Sequence, residues 1–368
     1  MKIAFDHEIF CRQRYGGISR YFFHLAQEFL KLDIDVNIFA PFHINKYLSQ
    51  LPEEVVHGKC IDGYLPRTFR LYSAYNNFFV RRQIRNWKPN ITHETYYSNR
   101  RSGPSEGPSV LTVYDMIHEL GYADNNQIVE LKRQSVERAD HVICISENTR
   151  RDLVHFLGTP KEKISVVHLG FDAFLKSENC DRRAESVGFQ SRPYLLYLGP
   201  RVGYKNFSGL LRAVATSQRL LTDFDVVAFG GHDLLADERD MILQLGLGAG
   251  QVKHIIGDDS ILGTLYNNAA AFVYPSLYEG FGLPPLEAMA HSCPVVSSNS
   301  SSMPEVIGDA AEFFDPSNVA DMRRAIEAVV YSSERRTQLI EKGRERLGSF
   351  SWQTCAEQTL AIYQSLQN

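Results

Sequence analysis

Short apolar runs alternate along this chain with longer stretches whose apolar residues recur at helical spacing. The runs Lys2–Phe5, Val36–Ala40, Asn90–His93, Val110–Tyr114, His141–Ile145 and Ser165–His168 have the length and composition of buried strands. Amphipathic stretches such as Ser19–Lys31 and Asn126–Ala139 lie between several of them. The polar stretch Asp172–Arg192 reads as a linker, and a second series of runs follows it: Tyr194–Leu198, Asp225–Phe229, Val252–Ile256, Ala271–Tyr274 and Pro294–Ser297. Strands alternating with helices predict parallel sheets covered by helices. The fold class is therefore α/β, with two Rossmann-like domains, 1–171 and 193–351, and a cleft between them.

Length and composition agree with that picture. The 368 residues suit two domains, and with 44% hydrophobic and 22% charged residues the chain can bury two cores. A net charge of −4 gives no general nucleic-acid footprint. The six cysteines, at 11, 60, 144, 180, 293 and 355, form no C-x-x-C pair, which argues against a zinc site or a disulfide framework and fits a reducing cytosol. The opening Met-Lys-Ile-Ala-Phe-Asp meets charge too soon for a signal peptide, and no apolar run approaches the roughly 20 residues that span a bilayer.

The densest chemistry lies in Pro275-Ser-Leu-Tyr-Glu-Gly-Phe-Gly-Leu-Pro-Pro-Leu-Glu287. It follows a buried-strand run and leads into a helix start at Pro284-Pro285, so it sits where ligands bind open parallel sheets, beyond the carboxyl ends of the strands. Gly280 and Gly282 leave backbone N–H groups free to approach an anion, and the helix start adds a positive dipole end. Carboxylates beside such a site, Glu279 and Glu287, the latter expected in the first turn of the helix, are better explained as acceptors for sugar hydroxyls than as phosphate ligands. Arg201 and Lys205 follow the first strand of the second series, where cations stabilise a departing diphosphate; they read equally as solvated surface charge. Gly16-Gly17 opens a helix soon after the first strand, and is either a plain turn or a close backbone approach to a ligand. Asp115 and His118 lie at a strand end of the first domain. Asp115 suits accepting from an acceptor hydroxyl and His118 suits proton transfer or charge stabilisation, and a structural hydrogen-bonding role explains each as well.

Taken together, Glu279-x7-Glu287 embedded as Glu-Gly-Phe-Gly-Leu-Pro-Pro-Leu-Glu, Gly16-Gly17-Ile-Ser-Arg-Tyr21, His141–Thr149, Leu198-Gly-Pro-Arg201 with Lys205-Asn206, and Pro304-Glu-Val306 resemble the retaining family 4 glycosyltransferases over nearly the whole chain. The resemblance implies the GT-B architecture of two facing Rossmann-like domains, with the final segment, about 352–368, crossing back onto the first. It implies a hexosyltransferase of cell-surface polysaccharide synthesis, most like mannosyl- and rhamnosyltransferases. The donor would be a nucleoside-diphosphate sugar, with GDP preferred over UDP, and the acceptor a glycan or lipid-linked glycan. No cofactor and no metal would be required. Arg201 and Lys205 would hold the diphosphate, Glu287 the ribose, and Glu279 the donor sugar. Gly16, Gly17, Gly280, Phe281, Gly282 and Leu283 would line the substrates, with Asp115 and His118 on the acceptor side. Relatives carry His where this chain has Tyr114, which bears on the role of His118. They also carry glycine where it has Ser292, a strained choice if that turn needs a positive φ.

Other segments carry weaker expectations. Leu71–Lys88 mixes aromatics with Arg81, Arg82, Arg85 and Lys88. It reads first as an ordinary domain helix with aromatics inward and arginines outward, and second as a helix resting on the anionic inner face of a membrane. Asp258-Asp259 reads as a helix cap and Glu305 as a helix-start carboxylate. The rival functions are an epimerase or phosphorylase on the same fold, and a non-catalytic sugar-nucleotide-binding partner.

Overall fold

The computed structural model describes residues 1–104, 107–171, 192–201 and 203–367. The expected linker lies outside these apart from Arg192. The chain divides into two compact units, Met1–Gly170 with Ser351–Asn368, and Phe171–Phe350.

The first unit is built on β1 (Lys2–Phe5), β2 (Asp35–His43), β3 (Val56–Cys60), β4 (Ile91–Glu94), β5 (Ser109–Val113), β6 (His141–Cys144) and β7 (Ile164–Val166), in the spatial order 3-2-1-4-5-6-7. All pairings are parallel. β5 is buried along its whole length, as a strand covered on both faces must be. β3 was not foreseen: Val-His-Gly-Lys-Cys is polar and half-exposed because it forms the sheet edge. Helix Trp352–Ser365 returns to this unit. The Trp352 indole stacks on the His24 ring with centroids 4.4 Å apart, and Tyr363 is buried against His93. A Cβ on Gly170 would meet the Trp352 backbone nitrogen at 2.4 Å, so only glycine lets the returning helix seat there.

The second unit holds β8 (Tyr194–Leu198), β9 (Asp225–Phe229), β10 (Val252–Ile255), β11 (Ala271–Tyr274), β12 (Val295–Ser298) and β13 (Ala311–Phe314), in the order 10-9-8-11-12-13, again all parallel. Its core gathers Leu195, Val226, Ala271, Val296, Phe314 and Ile326. Each sheet reverses its strand order once, between β1 and β4 and between β8 and β11. Such switch points open a crevice at the carboxyl ends of the strands.

Two local expectations are corrected. The helix Phe69–Trp87 buries Asn76, Val80 and Ile84, while Leu71, Tyr75 and Phe78 are exposed. The aromatics do not all face inward, because the buried stripe is only one residue wide per turn. Glu287 does not fall in the first turn of its helix: the helix runs Leu283–Ala290 with Gly282 at its N-cap, making Glu287 the fifth helical residue. The anticipated strain at Ser292 is present, with φ 56°, and its hydroxyl accepts from Arg344 at 3.1 Å.

Candidate active site

The second unit's switch point assembles the most chemistry. The loop after β8 carries Arg201 and Lys205, and the loop after β11 carries Glu279. Lys205 Nζ lies 2.6 Å from Glu279 Oε1, so one ion pair joins the two strand ends that flank the crevice. Both side chains are about nine-tenths buried (13% and 11% exposed), which keeps water from screening the pair. The backbone supports it: the Leu277 N–H donates to the Tyr204 carbonyl at 2.7 Å. The Tyr274 phenol at the end of β11 is raised well above its ordinary pKa, first by burial and then by Glu279.

The Glu279 loop is held from below by two serines that sequence reasoning did not single out. Ser301, in the left-handed region at φ 53°, accepts the Glu279 N–H at 2.9 Å. The fully buried Ser302 hydroxyl lies 2.9 Å from the Glu279 carbonyl and 2.8 Å from the Phe281 carbonyl. The only sequence signal for them was the serine cluster after the β12 run. Gly282 has φ 115°, and a Cβ there would lie 2.6 Å from Met303 Cε, so the turn that starts the helix admits only glycine. Phe281 is turned away from solvent onto Phe350, with ring centroids 5.7 Å apart. It anchors the turn and leaves backbone, not a ring, to meet a ligand. Pro284 and Leu283 open the helix. Glu287 Oε2 lies 3.3 Å from the hydroxyl of buried Tyr266, whose phenol is raised well above its ordinary pKa by burial and by Glu287.

Arg201 is not brought to the Lys205–Glu279 pair. Its side chain is fully buried; Nε is 2.8 Å from Glu238 Oε1, and the guanidinium also donates to the carbonyls of Gly230 and His232. Desolvation works against ionised Glu238, but hydrogen bonds from Arg201 and from the Leu235 N–H prevail and hold its carboxyl below the usual range.

In the first unit, Gly16 is the N-cap of helix Gly17–Lys31, and the Gln13 side chain accepts the Ser19 N–H at 3.1 Å. No atom lies within 4 Å of a Cβ built on Gly17, so space, not strain, marks that position. Asp115 and His118 follow β5. Asp115 Oδ1 accepts the Ile117 N–H at 3.2 Å, and His118 Nδ1 is buried without a hydrogen-bond partner among the described residues. The loop is tied down by Lys132, a fully buried lysine that donates to the Asp115 carbonyl at 2.8 Å and to Glu119 Oε2 at 2.7 Å. At this unit's own switch point, buried Asp6 accepts from the Thr95 N–H at 3.0 Å and from the Ser102 hydroxyl at 2.6 Å. Neither Lys132 nor Asp6 stood out in the sequence, where each is one charge among many.

Two family models match the chain: the Glycosyltransferase Family 4 model over residues 15–173 and the Glycosyl transferases group 1 model over 181–346. The O-antigen chain mannosyltransferase B of Escherichia coli is 28% identical, over the full length of both chains. Among solved structures, the sucrose-phosphate synthase of Thermosynechococcus elongatus superposes with a TM-score of 0.77 at 19% identity, covering 99% of this chain and 98% of the other. Anabaena HepE in complex with UDP-glucose superposes with a TM-score of 0.74 at 17% identity, covering 99% and 100%. At these identities the two structures establish the fold, GT-B with two parallel-sheet Rossmann-like domains.

Proposed function

The chain belongs to the family 4 glycosyltransferases, and from that premise we propose that it moves a mannose-like hexose, with retention of configuration, from a nucleoside-diphosphate sugar to a hydroxyl of a glycan or lipid-linked glycan in surface-polysaccharide synthesis. The observation that carries this reading is the buried Lys205–Glu279 pair joining the ends of β8 and β11. A diphosphate seated there meets Lys205 and the N-terminus of helix Leu283–Ala290, where backbone N–H groups and the helix dipole favour an anion. Glu279 then faces the sugar and Glu287 the ribose. GDP is the proposed base, as the sequence resemblance to mannosyl- and rhamnosyltransferases implies, with UDP the alternative.

In the proposed step the bond from the sugar's anomeric carbon to the diphosphate oxygen breaks. The acceptor oxygen bonds to that carbon on the same face, and its proton passes to the departing diphosphate. Negative charge grows on the leaving group, so a cation aimed at it stabilises the transition state more than the bound donor. Protein cations and amides carry that charge in this reading, without a metal ion. Arg201 contributes only by leaving Glu238. Asp115 and His118 serve the acceptor from the first unit, and the work is cytoplasmic.

The test supplies purified protein with GDP-mannose, UDP-glucose and other donors, and with lipid-linked and free glycan acceptors. Proton NMR then reads the anomeric configuration of any product. Transfer with the donor's configuration kept supports the proposal; an inverted product refutes retention, and hydrolysis or epimerisation alone refutes the transferase assignment.

A further inference from the structure

The face of helix Phe69–Trp87 that looks away from the core carries a pattern that sugar transfer does not use. With 3.6 residues per turn, Leu71, Tyr75, Phe78, Arg82 and Arg85 point opposite the buried stripe Asn76, Val80 and Ile84. Leu71 is 71% exposed and Phe78 64%, and Leu65 in the preceding loop is 67% exposed. Single exposed apolar residues are ordinary, but a contiguous ridge of them marks an interaction surface. Beside the ridge, Arg81, Arg82, Arg85 and Arg100 line one open cavity of about 550 Å³ together with Asn77 and Phe78. Among the described residues none of these four guanidiniums has an ion-pair partner. The only carboxylate between Gly63 and Pro104 in the described chain is Glu94, which is buried and taken by Arg138 at 2.6 Å. Toward the other end of the helix, an apolar groove of about 310 Å³ is lined by Phe42, Leu65, Leu71, Tyr72 and Tyr75.

We propose that this face docks on an anionic phospholipid bilayer, with lipid phosphates seated among Arg81, Arg82, Arg85 and Arg100 and with Leu65, Leu71 and Phe78 entering the acyl boundary. A bilayer supplies both chemistries the face presents, phosphates for unpaired guanidiniums and hydrocarbon for the ridge. A nucleic acid meets the arginines but leaves Leu65 and Leu71 in water. A second copy in a two-fold contact sets four arginines against four arginines.

The test is co-sedimentation of the full chain with phosphatidylcholine vesicles, with and without phosphatidylglycerol, in low and high salt. Binding is expected only to the anionic vesicles and weakens with salt. Each arginine near the surface is worth roughly a fivefold gain, so the triple variant R81A/R82A/R85A loses about a hundredfold. The triple lysine variant keeps most of the binding, and Phe78→Ser weakens it with the charge untouched. All these positions are exposed, and an unchanged melting temperature verifies that the variants fold. Equal binding to both vesicle types, or a triple-alanine variant that binds like the parent, overturns the proposal. So does retention by RNA or self-association without vesicle binding. Because no sugar transfer is measured, the result stands apart from the transferase reading.

Discussion

Replacing Lys205 by alanine separates a structural ion pair from a catalytic cation. At 2.6 Å the attraction to Glu279 is about 6 kcal/mol at an effective dielectric of about 20, and desolvating both ions cancels much of it. Removing one partner of a buried pair costs about 3–5 kcal/mol, because the other charge is left unpaired. The residual exposure of Glu279 lowers this to about 2–3 kcal/mol, or roughly 5–10 °C of melting temperature for a unit of this size. Catalysis loses separately: deleting one preorganised group that meets developing charge costs about 10²–10³ in kcat. Since that charge grows during bond breaking, the Kd for the donor is expected to change by less than about tenfold. The assay is kcat by nucleoside-diphosphate release, Kd by calorimetry and stability by thermal melting. The neutral pair Lys205→Met with Glu279→Gln recovers most of the stability but none of the turnover. Equal factors lost from kcat and donor affinity, or recovery of turnover in the neutral pair, would refute the transition-state role of Lys205.

Four further outcomes follow from the same geometry. Burial pushes His93 down to about 3, and His24 and His43 down to about 4, all in the first unit. A histidine with a depressed folded-state pKa leaves stability untouched above its unfolded value near 6.5, and costs stability as pH falls from there toward the folded value. Urea midpoints should therefore drop by pH 5, and His93→Gln should flatten that slope; a pH-independent midpoint contradicts it. Ser302→Ala removes the hydroxyl between two buried carbonyls and should cost about 1–2 kcal/mol, with turnover falling further than melting alone explains; turnover equal to the parent's would show that the Glu279 loop does not depend on it. Ser292→Gly relieves a left-handed residue and should stabilise by about 0.5 kcal/mol after glycine's entropy is subtracted, whereas a lower melting temperature would assign the Arg344 contact the larger share. Chelation by EDTA should leave turnover unchanged, and restoration by added magnesium after chelation would contradict the metal-free reading.

Most of the architecture was legible because parallel strands buried on both faces have to be short apolar runs, as Tyr194–Leu198 and Ala271–Tyr274 are. The strands that escaped notice, β3 and β13, are sheet edges, where one side meets solvent and the apolar signal thins. The candidate site divides in the same way. Lys205 and Glu279 could each be singled out from strand-end position and motif, but they stand 74 residues apart, and only the fold shows that they pair. Arg201 shows the limit more sharply: its strand-end position says nothing of Glu238, 37 residues on, which holds the guanidinium. Ser301, Ser302 and Lys132 act through backbone carbonyls, amides and buried partners, and that work leaves no pattern in residue spacing.

A nucleoside-diphosphate site at the carboxyl ends of β8 and β11 can be read out by hydrogen exchange with and without GDP, UDP, ADP or dTDP, at concentrations where calorimetry shows saturation. A bound nucleotide ties up amides and shifts local opening by mass action. One nucleotide is expected to bind, with protection rising most in residues 203–206 and 277–287. Protection concentrated elsewhere, or no binding of any of the four, would contradict a site there.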